Sequence, residues 1–329
     1  MDKIKKAVIP VAGKGTRFLP VTKTVIKTMF PIINKPTIHY IVEEVVRAGI
    51  TDIILVISNN QRWVKDYFDN NSSYYDDLHK KYKELETLEK LNDKINIKYV
   101  IQLEPKGLGH ALLCAKRYIG NDDFALLLGD DLVQRSDEKH YGIIDLVKKY
   151  KKNPAYYIGV VKVKEEETSK YGIISYSEEL DGNMKLDGMV EKPTSNPPSL
   201  YAACGRYILR NSIFKYIKQT KTKPGQEIQL TTGLDIAIQN ELVLAREIVG
   251  NRFDVGSHLG YVKATVAYAL KDENLKDEVR NYISSLVNND WFIRFWGLFL
   301  KIFKLWRYYE RSKCYWSWAC WKRSMLSVI

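Results

Sequence analysis

The chain has 329 residues, 45% of them hydrophobic and 27% charged, the balance of a soluble globular protein able to bury one large core or two modest ones. Its net charge of +12 does not mark a nucleic-acid binder, because residues 291–329 hold eight Lys/Arg against one acid, Glu310, and so supply +7 of the total. Four cysteines, Cys114, Cys204, Cys314 and Cys320, are too few and too scattered for a disulfide scaffold and lack zinc-type spacing.

The N-terminal lysines lead straight into the short apolar run Ala7-Val8-Ile9-Pro10-Val11, which is strand-like and not a signal sequence, so a cytoplasmic site is expected. A buried parallel strand is predicted there. A glycine loop follows at once. Gly13 and Gly15 allow a tight turn and close approach of a ligand to the backbone, and Arg17 and Lys27 add fixed positive charge. Phosphate binding is the functional reading, a plain βα turn the bland one. Helical spacing over residues 37–48, ended by Gly49, and an apolar strand over 52–57 complete a βαβ unit, which implies a parallel sheet with helices on both faces.

Short and solvated helices are predicted over 63–68 and 74–91, then a strand over 95–101. Gly107-Leu108-Gly109-His110 is a second glycine turn, leading into a helix over 111–118. The strand over 124–128 ends at Gly129-Asp130-Asp131, which puts carboxylates where open α/β sheets bind ligands. Strands are predicted over 156–163, 172–176 and 201–209, with another ending at Glu191-Lys192-Pro193. Helices are predicted over 212–217, 228–238 and 260–270, the last preceded by Phe253-Asp254-Val255-Gly256.

Two glycine loops, two separated aspartates (Asp130, Asp254) and three cations (Arg17, Lys27, Lys192) suggest a nucleotide and a metal. A dinucleotide fingerprint fails because position 18 is Phe where a third glycine is needed, and a Walker-type P-loop is absent. What remains, Pro10-Val11-Ala12-Gly13-x-Gly15-Thr16-Arg17-x-Leu19-Pro20 with Phe30-Pro31 to Asn34-Lys35-Pro36, resembles the signature of the sugar-phosphate nucleotidyltransferase family. Gly107-Leu108-Gly109-His110, Glu191-Lys192-Pro193, Gly205-Arg206-Tyr207, Glu227-Ile228-Gln229-Leu230-Thr231 and Phe253-Asp254-Val255-Gly256 narrow the likeness to its glucose-1-phosphate uridylyltransferase branch, over residues 4–285.

The resemblance implies a Rossmann-like α/β fold with a mixed, mostly parallel central sheet flanked by helices. It implies attack of glucose 1-phosphate on the α-phosphorus of UTP, giving UDP-glucose and pyrophosphate, with Mg²⁺ as cofactor and a homo-oligomer as the expected assembly. Carried over by position, Asp130 and Asp254 hold the metal, while Arg17 and Lys27 neutralise the triphosphate. Ala12, Gly13, Gly15, Thr16, Gln102 and Gly107 bind the nucleotide, and Gly172, Glu191 and Lys192 the sugar phosphate. Asp131 is a weaker metal candidate than Asp130, and His110 reads as structural, since the reaction lacks an essential proton transfer. Branches using dTTP, or a weakly active regulatory or membrane-docking paralogue, are the alternatives. Four positions depart from the family pattern. Ile26 and Thr28 stand where a proline and a glutamate are usual, and Gln226 and Thr232 replace aspartates. Activity is expected all the same, with nucleotide selectivity or affinity the property exposed at Thr28.

Composition changes near residue 288, so a catalytic domain over 1–288 and a separate tail over 289–329 are expected. Six of the seven tryptophans lie in that tail. Over 291–307 the polar positions Arg294, Lys301 and Lys304 fall on one stripe of an otherwise apolar helix, which suits peripheral contact with a membrane surface or an oligomer interface. A blander origin is read-through: Trp316, Trp318 and Trp321, read one base later, become glycines spaced G-x-G-x-x-G.

Overall fold

The computed structural model describes residues 3–59, 61–69, 82–135, 141–220, 223 and 225–289. The proposed tail contact over 291–307 and the tryptophan cluster beyond it lie outside the described residues, as do positions 74–81 of the expected solvated helix. Two compact units divide the chain, Met1–Tyr268 and Ala269–Ile329. The described part of the second contains the helix Lys276–Asn289.

In the first unit a nine-stranded mixed sheet forms the centre. Strand β1 (Lys6–Pro10) lies between β4 (Asp52–Ile57) and β6 (Phe124–Leu127), and β4 pairs on its far side with β5 (Asn96–Ile101). All of these ladders are parallel. Next to β6, strand β11 (Tyr201–Leu209) runs antiparallel, followed by β8 (Tyr156–Lys162), β12 (Val243–Glu247), β10 (Asn183–Glu191) and β9 (Gly172–Leu180). The strands predicted over 156–163, 172–176 and 201–209 therefore join the same sheet, and β9 continues four residues further than its apolar pattern suggests because it pairs along β10. Small two-stranded ladders join β2 (Pro31–Ile32) to β3 (Lys35–Pro36) and β7 (Asp131–Gln134) to β13 (Asn251–Asp254).

Unbroken apolar runs in β1, β4 and β6 have a direct cause, since both faces of these strands are covered. Side chains alternate across a strand. Ala7, Ile9, Ile53, Leu55, Ala125 and Leu127 enter one core, together with Ile38, Ile41, Val42 and Val45 of helix α1 (Thr37–Arg47). Val8, Ile54, Val56, Phe124 and Leu126 enter the other, together with Ala111, Leu112 and Ala115 of Leu108–Ile119 and with Leu234 of Leu230–Ile238. Each fully buried Ile, Leu or Phe contributes about 2 kcal/mol, so the two cores clamp the parallel half of the sheet from both sides. The reversal between β1 and β6 makes a topological switch point, and ligands bind outside the carboxyl ends of strands at such a point.

The remaining helices in chain order are α2 (Arg62–Phe68), α3 (Lys83–Asn92), α4 (Leu108–Ile119), α5 (Gly142–Lys152), α6 (Ile213–Gln219), α7 (Leu230–Ile238), α8 (His258–Ala269) and α9 (Lys276–Asn289). Helix α4 begins three residues before the expected start, because Gly107 takes a positive φ of 95° and turns the chain directly into it. Among the described residues, no helix is long and apolar enough to cross a membrane. Cys114 and Cys204 are free thiols, and burial pushes Cys204 up to about 12, which leaves it protonated and inert.

Helix α1 also carries a polar cluster. Glu43 Oε1 accepts from Lys35 Nζ at 2.7 Å and from His39 Nε2 at 2.9 Å, and Tyr67 bonds the other ring nitrogen. Burial alone would raise the Glu43 carboxyl, but the bonds from His39 and Lys35 and the lysine charge outweigh it and lower it from 4.5 to about 2. A depressed folded-state value contributes stability that is complete above about pH 4.5 and is lost as pH falls through about 2. Glu43→Gln is therefore expected to remove about 3 kcal/mol at pH 7 and to flatten the acid limb of stability. Urea titrations at pH 7 and pH 3 check this; parallel acid limbs for the two proteins contradict it.

Candidate active site

The glycine loop leaves β1 at its carboxyl end. Gly15 has a φ of 63°, and a Cβ there would lie 2.9 Å from Cγ2 of Thr22, whose hydroxyl donates to the Gly15 carbonyl at 2.8 Å. Only glycine fits both constraints. At Gly13 an added Cβ would sit 3.8 Å from Lys27 Nζ, so the loop backbone and the lysine ammonium border the same space. Ala12 is buried, while Gly13 and Thr16 are exposed, so the loop opens outward past a packed first residue.

Asp130 follows β6 and receives a hydrogen bond from Lys27 Nζ. Burial raises its carboxyl, yet the Lys27 charge and hydrogen bond, with a smaller contribution from Arg17, hold it below the usual carboxylate range. Asp254 ends β13, more than a hundred residues away in sequence. The β7–β13 ladder brings it back, pairing Asp254 with Asp131, and the Val255 N–H donates to the Asp130 carbonyl at 3.0 Å. Both carboxylates then converge on Gly256, where a Cβ would lie 2.8 Å from Asp130 Oδ2 and 3.0 Å from Asp254 Oδ1. Arg17 Nη1 reaches the Gly256 carbonyl at 3.4 Å. This pair of oxygens flanked by two cations suits a hard divalent cation that shares its shell with phosphate oxygens.

Asp131 is otherwise engaged. Both of its oxygens accept from Arg252, at 2.8 to 3.0 Å, and it is 3% exposed. Arg252 also stacks over Tyr171, 4.5 Å from the ring centroid. Sequence reasoning passed over Arg252 because nothing in a lone arginine two residues before Asp254 announces a bidentate partner on β7.

A pocket of about 240 Å³ joins these parts, lined by Arg17, Asp130, Asp254, Gly172, Glu191 and Lys192 among others. Tyr207 and Thr231, which lie in quoted motifs but were given no role, also line it, as does Arg252, which no local signal marked. Thr231 donates to Glu191 Oε2, fixing the carboxylate's direction. A Cβ on Gly172 would meet that same oxygen at 3.3 Å and Met189 Cε at 2.7 Å, so glycine keeps this wall open. Lys192 adopts a φ of 47°, a left-handed conformation costly for a side-chain-bearing residue, held by its N–H bond to Tyr171 at 3.0 Å. Glu191 and Lys192 lie 3.4 Å apart at their charged ends. Gln102 and Gly107 stand at the same carboxyl edge, after β5, but border a region beside the pocket: Gln102 Nε2 donates to the Gly107 carbonyl at 3.2 Å.

Of the departures from the family pattern, Gln226 and Thr232 are exposed and do not line the pocket. Thr28 is 1% exposed, packs its Cγ2 toward Gly129, and leaves its hydroxyl without a hydrogen-bond partner. A buried orphan hydroxyl is costly, so the nearly isosteric Thr28→Val is expected to raise stability by about 1 kcal/mol. A urea midpoint lower than that of the parent would contradict the orphan's cost.

A mixed sheet whose parallel half ends beside a glycine loop, two convergent aspartates and several fixed cations defines an α/β enzyme that handles nucleoside phosphates. The chain belongs to the nucleotidyl transferase family, whose sequence pattern it matches over residues 6–271. It is 41% identical over 293 residues to the UTP–glucose-1-phosphate uridylyltransferase of Bacillus subtilis, covering 88% of this chain and 99% of that one. Its identity to UTP–glucose-1-phosphate uridylyltransferase 2 of Staphylococcus saprophyticus is 44% over 292 residues, or 88% of this chain and all of the relative. A crystal structure of UDP-glucose pyrophosphorylase complexed with UDP-glucose superposes with a TM-score of 0.75 at 37% identity, covering 82% of this chain and 100% of that chain. The UTP-bound enzyme of Acinetobacter baumannii does so with 0.77 at 36%, covering 86% and 99%.

Proposed function

We propose that this chain joins UTP and glucose 1-phosphate into UDP-glucose and releases pyrophosphate. The convergence of Asp130 and Asp254 on Gly256, with Lys27 and Arg17 beside them and Glu191 and Lys192 across the same pocket, carries the reading. The names of the relatives support the same substrates.

The nucleophile is a phosphate oxygen that is already anionic, so no general base is required and catalysis consists of alignment and charge neutralisation. Arg17 and Lys27 neutralise the triphosphate. Lys192 holds the sugar phosphate, and Glu191, aimed by Thr231, accepts from glucose hydroxyls, with Gly172 allowing close main-chain approach. Ala12, Gly13, Gly15 and Thr16 cradle the nucleotide, and Gln102 and Gly107 read its base. Asp130 and Asp254 would hold Mg²⁺, which when bound supplies charge stabilisation at the phosphate oxygens. Two carboxylates leave room in the shell of such an ion for substrate phosphates and water.

Pyrophosphate release from UTP, dTTP, CTP and ATP in turn, measured with glucose 1-phosphate and with and without Mg²⁺, tests the proposal. UTP turnover that requires the cation is expected. Turnover with ATP but not UTP, or full UTP turnover in a chelator, would overturn it.

A further inference from the structure

Gln102 is 5% exposed and immediately follows β5, its backbone N–H bonded to the Ile57 carbonyl at 2.7 Å. Its amide has two ends with opposite hydrogen-bonding character, and which end faces outward decides which base edge it matches. The surroundings settle the orientation chemically. The end next to the Gly107 carbonyl, 3.2 Å away, has to be the NH₂, because a carbonyl oxygen only accepts. The same nitrogen lies 2.9 Å from Nδ1 of His110, so its second hydrogen points at the imidazole. Nδ1 is then an acceptor, and the neutral ring carries its proton on Nε2, which faces Cys114 Sγ at 3.9 Å one helical turn along α4. Both hydrogens of the Gln102 amide are thus engaged within the protein, and the carbonyl Oε1 is the end left to meet a ligand.

An acceptor at that position pairs with the N3–H of uracil. It opposes cytosine, whose N3 is itself an acceptor, and it cannot tell uracil from thymine, whose imide edges are alike. We propose that His110 is a positioning residue for base selection: through Nδ1 it pins the Gln102 amide with its carbonyl outward, so the site takes an imide pyrimidine and rejects cytosine. This rests on the reading above, in which Gln102 faces the base of UTP. It gives His110 a task although the reaction needs no proton from it. Without the imidazole the second amide hydrogen loses its acceptor and only the Gly107 carbonyl still opposes the turned amide, so the form with its NH₂ outward becomes more populated. Sites built around a fixed polar partner reject the mismatched analogue strongly, and loosening that partner should relax the rejection.

The test is pyrophosphate release by the full-length His110→Phe protein with UTP, dTTP and CTP, glucose 1-phosphate and Mg²⁺ present, at one fixed pH for parent and variants. The expected result is a fall of about 10-fold or more in the ratio of kcat/KM for UTP over CTP, arising mainly from a higher KM for UTP. The ratio of UTP over dTTP should stay constant. His110→Asn, whose side-chain oxygen can accept from Gln102, should recover part of the discrimination. Should His110→Phe fail to fold, His110→Ala carries the same expectation. An unchanged UTP/CTP ratio in a folded variant, or equal losses with all three nucleotides, would overturn the positioning role while leaving the uridylyltransferase reading intact. A parent protein that turns over none of the pyrimidine nucleotides would overturn both together.

Discussion

Asp130→Asn is expected to lower UDP-glucose synthesis by about 10³-fold, chiefly in kcat. Asparagine keeps the shape of the side chain but removes the charge that Lys27 and Arg17 now hold below its ordinary titration range. Two losses combine: one of the two convergent carboxylates proposed to hold the metal disappears, and the Lys27 ammonium loses its partner. About 4 kcal/mol of transition-state stabilisation corresponds to that factor. Stability should fall only modestly, because the loss of the Lys27 pair is partly offset by relief of the carboxylate's burial cost. Activity and a thermal melt on the same preparation therefore separate the proposed role from a folding defect, and the Mg²⁺ concentration for half-maximal rate should rise. Near-parental turnover with an unchanged metal requirement would dismiss Asp130 as a ligand.

The second large effect is on stability. Arg206 is 0% exposed, the bulkiest of the fully buried side chains, and lies against Glu44 of α1, which is 3% exposed. Nε and Nη2 of the arginine donate to the two carboxylate oxygens at 2.9 and 2.8 Å, and the Ile143 N–H donates to Glu44 as well, at 2.7 Å. Removing one charge leaves the other buried and unmatched. Arg206→Met should therefore cost about 3–5 kcal/mol, read as a lower urea midpoint. Glu44→Gln combined with Arg206→Met removes both charges and keeps an acceptor for Ile143, so it should recover most of that loss. Equal losses in the single and double variants would show that side-chain volume, and not charge, is what Arg206 supplies. The pair matters to the site because β11 carries Arg206 opposite Leu127 of β6, and the Gly205 carbonyl accepts from Leu128 N–H at 2.9 Å, two residues before Asp130.

This pairing shows how local the sequence signal is. Gly205-Arg206-Tyr207 was recognisable as a motif, but nothing in it said that the arginine faces a glutamate more than 160 positions earlier. The same holds for Asp131, whose place beside Asp130 looks like a metal ligand until Arg252 is seen holding both oxygens. Thr28 looked like a change in the catalytic surroundings, whereas its side chain points inward toward Gly129 with an unmatched hydroxyl. His110 read as structural, yet its ring nitrogen orients Gln102.

What the sequence by itself determined is the set of features whose physics is local. The apolar runs of β1, β4 and β6 follow from burial on both faces, the helical period of α1 from its single buried stripe, and the glycine loop from a φ that only glycine adopts freely, so all three were written in consecutive residues. The carboxylate at the end of β6 belongs with them, since a strand end is where the chain can present a charge. What only the tertiary structure decided is which distant groups neutralise one another: Asp254 swung beside Asp130 by the β7–β13 ladder, Arg252 on Asp131, Thr231 on Glu191, His110 behind Gln102. Charges and hydrogen-bonding groups act over a few ångströms of space regardless of separation along the chain, and no period or spacing in the sequence encodes that distance.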